Sequence, residues 1–125
     1  MSKTKYCLIA SLSMAIAISL GAIGAHALEK TLSLKALHTF ETGIKYQIYH
    51  SLALLSMGLN SNDKNLQSKL YQASMFLFTV GIILFSGNCV LYALTSIKTF
   101  AMIVPIGGVS FIAGWICLSF FYIKK

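Results

Sequence analysis

Residues 21–28 read GAIGAHAL, and the interpretation of this stretch decides the number of membrane helices. It follows a long apolar run, and Ala25-His26-Ala27 has the A-x-A form of a signal-peptidase site. The run from Tyr6 to Ala25 has 20 residues, whereas the apolar core of an export signal has about 7–15. About 20 apolar residues can cross a bilayer. We therefore predict a retained first membrane helix, although composition alone does not exclude cleavage after Ala27, which would leave three spans.

The composition indicates an integral membrane protein. Of the 125 residues, 57% are hydrophobic and 10% are charged, whereas about a quarter of the residues in soluble domains are charged. The net charge of +7 comes from lysines, and these lie between the apolar runs and at both ends. We interpret them as topology signals and contacts to anionic lipid, and not as a nucleic-acid surface.

Four apolar segments predict an all-α integral membrane bundle with short loops, forming a single domain over residues 1–125. The predicted spans cover residues 6–28, 40–59, 70–94 and 100–123. Each is predicted to be a helix, because a lone apolar segment in a bilayer must satisfy its own backbone hydrogen bonds. The turn-rich segment 60–69 and the short segment 95–99 are predicted to be loops.

The lysines also predict the orientation. Six of them, Lys3, Lys5, Lys64, Lys69, Lys124 and Lys125, fall on one side of the predicted bundle. Lys30, Lys35 and Lys98 fall on the other side, with Lys45 near the boundary. The positive-inside rule therefore places both termini in the cytoplasm.

The polar residues of the four spans gather in the outer half of the bilayer. A helix rises about 1.5 Å per residue, which puts Gln47 about 5–6 Å, His50 about 10 Å and Ser86 about 10–14 Å inside the outer boundary. The predicted polar layer contains His26, Tyr46, Gln47, His50, Ser86 and Asn88. His26 and His50 differ by about 7 Å in depth, so we predict no shared metal site.

Small residues and one proline accompany this layer. Gly43 shares a helical face with Gln47 and His50. Pro105 can free backbone carbonyl groups for a polar pocket, and the glycines can instead let helices touch. The predicted packing or backbone positions are Gly21, Gly24, Gly43, Gly87, Pro105, Gly107 and Gly108.

Several short motifs, taken in order, carry a family resemblance. GAIGAH, FETGIKYQIYH with LALL, LFSG, and PIGG followed by Gly114-Trp115 resemble the YgdD/YwdK-like family of small bacterial inner-membrane proteins. The resemblance covers nearly the whole chain. It implies four retained spans and a location in the plasma membrane, and it transfers no reaction.

Three functions stay open at this point. The first is a structural or accessory membrane protein, whose partner is lipid, another membrane protein or a second copy. The second is a small transporter or channel component with a pocket centred on His50, because an ionisable residue inside a membrane is a functional candidate. The third is a haem or metal redox protein using the histidines. We predict no enzyme and no cofactor, because no paired carboxylate, activated serine or phosphate loop is recognisable.

Overall fold

Long helices account for most of the chain in the computed structural model, which describes residues 2–125. The elements are α1 (Lys3–His26), a 3-10 turn (Leu28–Lys30), α2 (Leu34–Leu59), α3 (Asp63–Gln67), α4 (Lys69–Gly81), a π-helical segment (Ile82–Gly87), α5 (Asn88–Thr95) and α6 (Lys98–Lys124). The run from α4 through the π-helical segment to α5 forms one rod, here called the third long helix (Lys69–Thr95). The described residues contain no strand, and the predicted all-α class is confirmed.

Local capping chemistry sets the helix boundaries. The hydroxyl of Ser33 accepts a hydrogen bond from the backbone N–H of Ala36 at 3.1 Å, which starts α2 at Leu34. This is six residues before the predicted start at residue 40, because an N-cap serine satisfies helix N–H groups whatever the polarity of the residues that follow. Asn62 caps α3 in the same way at 2.9 Å, so a short helix occupies part of the predicted 60–69 loop.

Three helices are long and apolar enough to cross a membrane: α1, the third long helix and α6. The remaining long helix, α2, has 26 residues. Its first half contains Lys35, Glu41 and Lys45, which make it more polar than the other three. The structure thus supports a helical membrane protein with three candidate spans, and α2 is a fourth long helix of more polar composition.

The long helices pack side by side in a defined order. α1 lies along α2, the third long helix lies along α6, and α2 packs against the π-helical segment and α5. The larger apolar core includes Tyr6, Leu54, Tyr71 and Phe121, so it lies towards the end of the bundle that holds both termini. A smaller core, formed by Ala17, Phe40, Ile44 and Ala93, lies towards the other end. The middle of the bundle lies between these two apolar cores.

Glycines bring α6 very close to the third long helix. A methyl carbon placed on Gly107 would lie 2.7 Å from both the carbonyl carbon of Leu84 and Cα of Phe85, which are backbone atoms of the π-helical segment. A methyl carbon on Gly114 would lie 2.7 Å from the Phe78 ring. In a membrane, where the hydrophobic effect does not drive helices together, such close packing is a principal source of association.

Gly107 and its neighbour Gly108 therefore provide a matched pair of tests. Gly107→Ala should lower the stability of the bundle by about 1–3 kcal/mol, because the new methyl group meets backbone that cannot rotate away. Gly108→Ala should be nearly neutral, because its methyl group would meet only the Phe85 ring, at 3.7 Å. Thermal unfolding of the two variants in detergent measures the difference. Equal midpoints would contradict this account of the contact between α6 and the third long helix.

Candidate functional site

The polar side chains of α2 face two different neighbours. Gln47 and Ser51 are buried and make hydrogen bonds to α1. His50 is also buried, and it makes contact with α6. Because three residues along an α-helix correspond to a rotation of about 300°, Gln47 and His50 share the buried side yet point about 60° apart. This rotation separates the polar residues of α2 into two groups.

The first group is a serine–glutamine cluster between α1 and α2. The Nε2 group of Gln47 donates to the Ser13 carbonyl oxygen at 2.9 Å and to the Ser13 hydroxyl at 3.2 Å. The Ser51 hydroxyl donates to the same Ser13 hydroxyl at 2.7 Å. A carbonyl oxygen only accepts hydrogen bonds, so the amide nitrogen of Gln47 must face Ser13. The amide oxygen Oε1 is then the part of Gln47 that is left for another partner.

The second group surrounds His50 with aromatic rings. The imidazole stacks on Phe111 with ring centroids 3.6 Å apart and planes 12° apart, and it meets Phe78 at 5.3 Å. Its Nε2 is 3.0 Å from the indole Nε1 of Trp115, and its Nδ1 is 2.7 Å from the carbonyl oxygen of Tyr46. Both nitrogens of the ring are thus hydrogen-bonded, Phe111 covers one face of the ring, and Phe78 makes an edge contact with it.

These partners fix the tautomer of His50. An indole N–H can only donate, so Nε2 of His50 must accept and carries no proton. The carbonyl oxygen of Tyr46 can only accept, so Nδ1 carries the proton and donates. His50 is therefore the neutral Nδ1–H form in this arrangement.

The π-helical segment leaves one buried hydroxyl without a partner. Ser86 is 0% exposed, and its Oγ is the single fully buried side-chain oxygen or nitrogen atom within residues 2–125 that has no hydrogen bond. Thr79 and Thr95, in the α-helical parts of the same rod, donate to carbonyl oxygens four residues earlier, at 2.9 and 2.6 Å. π-Helical segments often mark functional sites, and here the segment coincides with the unpaired group.

Ser86 lies in the wall of a groove that opens between α1 and the third long helix. The groove has a volume of about 490 Å³. Its polar lining consists of Gln47, Ser86 and Asn88, and its apolar lining includes Ile16, Leu20, Ile82, Ile83, Val90 and Leu91. The Nδ2 group of Asn88 donates to the carbonyl oxygen of Leu84 at 2.8 Å, so its amide oxygen is left as an acceptor. We call this cavity the α1–α5 groove.

The structure thus divides the six residues of the predicted polar layer. Gln47, Ser86 and Asn88 meet at the α1–α5 groove, while Tyr46 and His50 lie together beside α6. His26 is the last residue of α1 and is exposed. Ser13, Ser51 and Trp115 complete the two groups and were not among the predicted site residues. Ser51 could have been found from its i, i+4 spacing to Gln47, whereas Ser13 and Trp115 are too distant in sequence.

The small residues predicted for packing fall into two groups, those at close helix contacts and those with room for a methyl group. A methyl carbon on Gly24 would lie 2.6 Å from the Phe40 ring, and one on Gly43 would lie 2.6 Å from Cβ of Cys89. A methyl carbon on Gly21 would make ordinary contact with Ile44 at 3.7 Å, and one on Gly87 would meet nothing within 4 Å. Helix α6 continues through Pro105. Close contacts of the same kind at Gly58 and Gly81 were not predicted.

Metal-ligating side chains are dispersed in the described part of the chain. No group of three histidine, cysteine, aspartate or glutamate side chains comes together within residues 2–125. The cysteines Cys7, Cys89 and Cys117 are free thiols.

Trp115 is the single tryptophan of the chain, so its fluorescence reports on the bond to His50. His50→Leu removes the acceptor for the indole N–H and leaves the ring in apolar surroundings. We expect the emission of Trp115 in detergent to move to shorter wavelength, because the excited indole loses a polar partner. His26→Leu, which changes an exposed histidine at the end of α1, should leave the spectrum unchanged. Identical spectra for the two variants would contradict the His50–Trp115 hydrogen bond.

Comparisons with known proteins identify relatives over most of the chain. A family model described as "Protein of unknown function (DUF423)" matches residues 20–108. A UPF0382 membrane protein of Haemophilus influenzae is 37% identical over 118 residues, which cover 94% of this chain and 93% of the relative. The UPF0382 inner membrane protein YgdD of Escherichia coli K12 is 38% identical over 108 residues, covering 86% and 81%.

A further relative comes from a different group of bacteria. A UPF0382 membrane protein of Staphylococcus epidermidis is 40% identical over 113 residues, covering 90% of each chain. No solved structure matches the chain. All three relatives are named membrane proteins, and the Escherichia coli relative is named an inner membrane protein. Together with the three apolar helices, these names indicate an inner-membrane protein embedded in the lipid bilayer. The chain belongs to the DUF423 family.

Proposed function

We propose that the chain is a four-span accessory protein of the inner membrane, with both termini in the cytoplasm, which acts through contacts made inside the bilayer. The observation that carries this proposal is the enclosure of His50. Both of its ring nitrogens are hydrogen-bonded, to Trp115 and Tyr46, and Phe111 stacks on its face. With these contacts, His50 is suited to joining α2 to α6.

The proposal includes α2 as the fourth span. Its buried side from Phe40 to Gly58 packs between α1 and the rod that carries the π-helical segment. If α2 lay outside the membrane, the apolar side chains of α1 would lose their helical partner inside it. Lys35, Glu41 and Lys45 lie in the first half of α2, and long charged side chains near the end of a span can reach the interface.

A transporter centred on His50 is less well supported. Proton or ion relay would require His50 to exchange partners, and its protonation would turn Nε2 from an acceptor into a donor facing the N–H of Trp115. Axial haem ligation would likewise require a free imidazole nitrogen, whereas both nitrogens hold hydrogen bonds. The accessory function requires none of these rearrangements.

Cysteine labelling tests whether α2 crosses the membrane. Single cysteines at Thr31, Gln67 and Thr99 are placed in a variant whose three native cysteines are alanine. Four spans put residues 31 and 99 outside and residue 67 inside. We expect a membrane-impermeant maleimide to label the first two sites on intact spheroplasts, and residue 67 only after permeabilisation. If residues 31 and 67 were labelled from the same side, α2 would not be a span.

A substitution that keeps the hydrogen bond but cannot carry a proton tests the role of His50. In His50→Gln, the amide oxygen can accept from Trp115, whereas the side chain does not titrate. We expect this variant to complement a deletion strain under a condition where loss of the chain slows growth. Membrane levels of each variant are measured by immunoblot. A normally accumulating His50→Gln protein that fails to complement would favour a proton-handling role instead.

A further inference from the structure

Ser86 is a lining residue of the α1–α5 groove, and its buried hydroxyl has no hydrogen-bond partner within the described chain. Leaving a buried hydroxyl unpaired costs about 1–3 kcal/mol. Other serine and threonine hydroxyls in the long helices, such as those of Ser11 and Thr79, donate to their own backbone. The hydroxyl of Ser86 is therefore available as a hydrogen-bond donor, and its oxygen can also accept.

Two amide oxygens complete the polar lining of the groove. The amide nitrogens of Gln47 and Asn88 are engaged with backbone carbonyl oxygens. Their oxygens, Oε1 and Oδ1, make no hydrogen bond within the described residues and can accept. The groove thus offers one hydroxyl and two acceptors, which together suit a ligand group that both donates and accepts. A ligand hydroxyl is the simplest such group.

The charge and depth of the groove define the ligand further. Its lining contains no charged side chain, which favours an uncharged head group. Ser86 lies about 10–14 Å below the outer boundary, so the head group must sit within the hydrocarbon region. A phospholipid whose phosphate stays at the interface would present only its tails at this depth. The ligand must therefore be an amphiphile whose small polar head enters the membrane interior.

The groove is also accessible from the lipid. Ile16 on α1 is 54% exposed, and Ile83 on the π-helical segment is 62% exposed. Both residues line the groove. A ligand can therefore enter sideways from the bilayer without opening the helical bundle, and its chain can lie against these side chains.

We propose that the α1–α5 groove binds an uncharged, hydroxyl-bearing membrane amphiphile, whose hydroxyl accepts from Ser86 and donates to the amide oxygen of Gln47 or Asn88. This inference rests on the proposed placement of all four long helices in the bilayer. It goes further by assigning a ligand class to a site that is distinct from His50. Diacylglycerols and prenylated quinols both have the required chemistry.

Photo-crosslinking tests the proposal on the full chain. The protein is reconstituted in vesicles of phosphatidylethanolamine and phosphatidylglycerol with a long-chain alcohol that carries a diazirine in its chain. The matched probe is the methyl ether of the same molecule, which cannot donate a hydrogen bond. We expect the alcohol to label residues of the groove about threefold to tenfold more strongly than the ether, which corresponds to one hydrogen bond.

Two variants locate the binding site. Ser86→Ala removes a hydroxyl that has no partner in the chain, so this variant should be at least as stable as the parent protein. It should label about threefold to tenfold less strongly with the alcohol. Gly87→Leu fills open space in the groove wall and should abolish labelling there. Ser74→Ala, on the same long helix and also 0% exposed, lies outside the groove and should label normally.

The outcomes separate this inference from the proposed function. Equal labelling by alcohol and ether, or normal labelling of Ser86→Ala, would overturn hydroxyl recognition. A photoreactive amino acid at the groove residue Ile83 that crosslinks to a second copy of the chain would overturn it in favour of a protein occupant. If either result accompanied four-span labelling at residues 31, 67 and 99, the ligand inference alone would fail. Competition by unlabelled diacylglycerol or by a prenylated quinol would support the proposal and identify the source of the hydroxyl.

Discussion

Because the interior of a bilayer contains no water, a polar group there that finds no partner within the protein carries a free-energy cost. In the proposed four-span arrangement, this constraint determines the place of α2. It carries Gln47, His50 and Ser51 on its buried side, and an isolated α2 would expose these groups to lipid. Ser13 on α1 satisfies two of them, and Trp115 on α6 satisfies the third. Hydrogen bonds from α1 and α6 thus fix the position of α2, which is the most polar of the long helices.

Close backbone contacts act together with these hydrogen bonds. Gly43 lets α2 approach Cys89 and the backbone of Ser86, and Gly107 lets α6 approach the other side of the π-helical segment. The π-helical segment is thereby packed closely between the glycine-containing faces of α2 and α6. The same segment carries the unpaired hydroxyl of Ser86, so one segment contributes both to packing and to a polar groove. Interhelical hydrogen bonds in membranes are worth only about 1 kcal/mol each, which makes such packing indispensable.

Sequence reasoning predicted the helical class, and it placed the ends of most helices within a few residues. Apolar segment length and loop composition act locally, so they can be read along the chain. The depth of each residue in the bilayer, calculated from the constant rise per residue, stays a prediction. The early start of α2 was missed, because Ser33 extends the helix into residues whose polarity indicated a loop.

The partners of the polar residues could not be predicted. Depth does not specify the direction in which a side chain points around its helix, and Gln47 and His50 turned towards different neighbours. The contact of His50 with Trp115 joins residues 65 positions apart, and the contact of Gln47 with Ser13 joins residues 34 apart. The π-helical segment rotates the residues that follow it, including Asn88, relative to a regular α-helix. Local sequence patterns carry no information about these rotations.

The most direct test of this account measures the environment of α2 itself. Leu52 is 54% exposed on the outer surface of α2 and would lie about 14 Å below the outer boundary, near the middle of the bilayer. A nitroxide spin label at this position, in vesicles, can be relaxed by apolar oxygen or by a water-soluble nickel chelate. The account predicts strong relaxation by oxygen and little by the chelate. Strong relaxation by the chelate would place α2 in water and contradict the central role of this helix within the membrane.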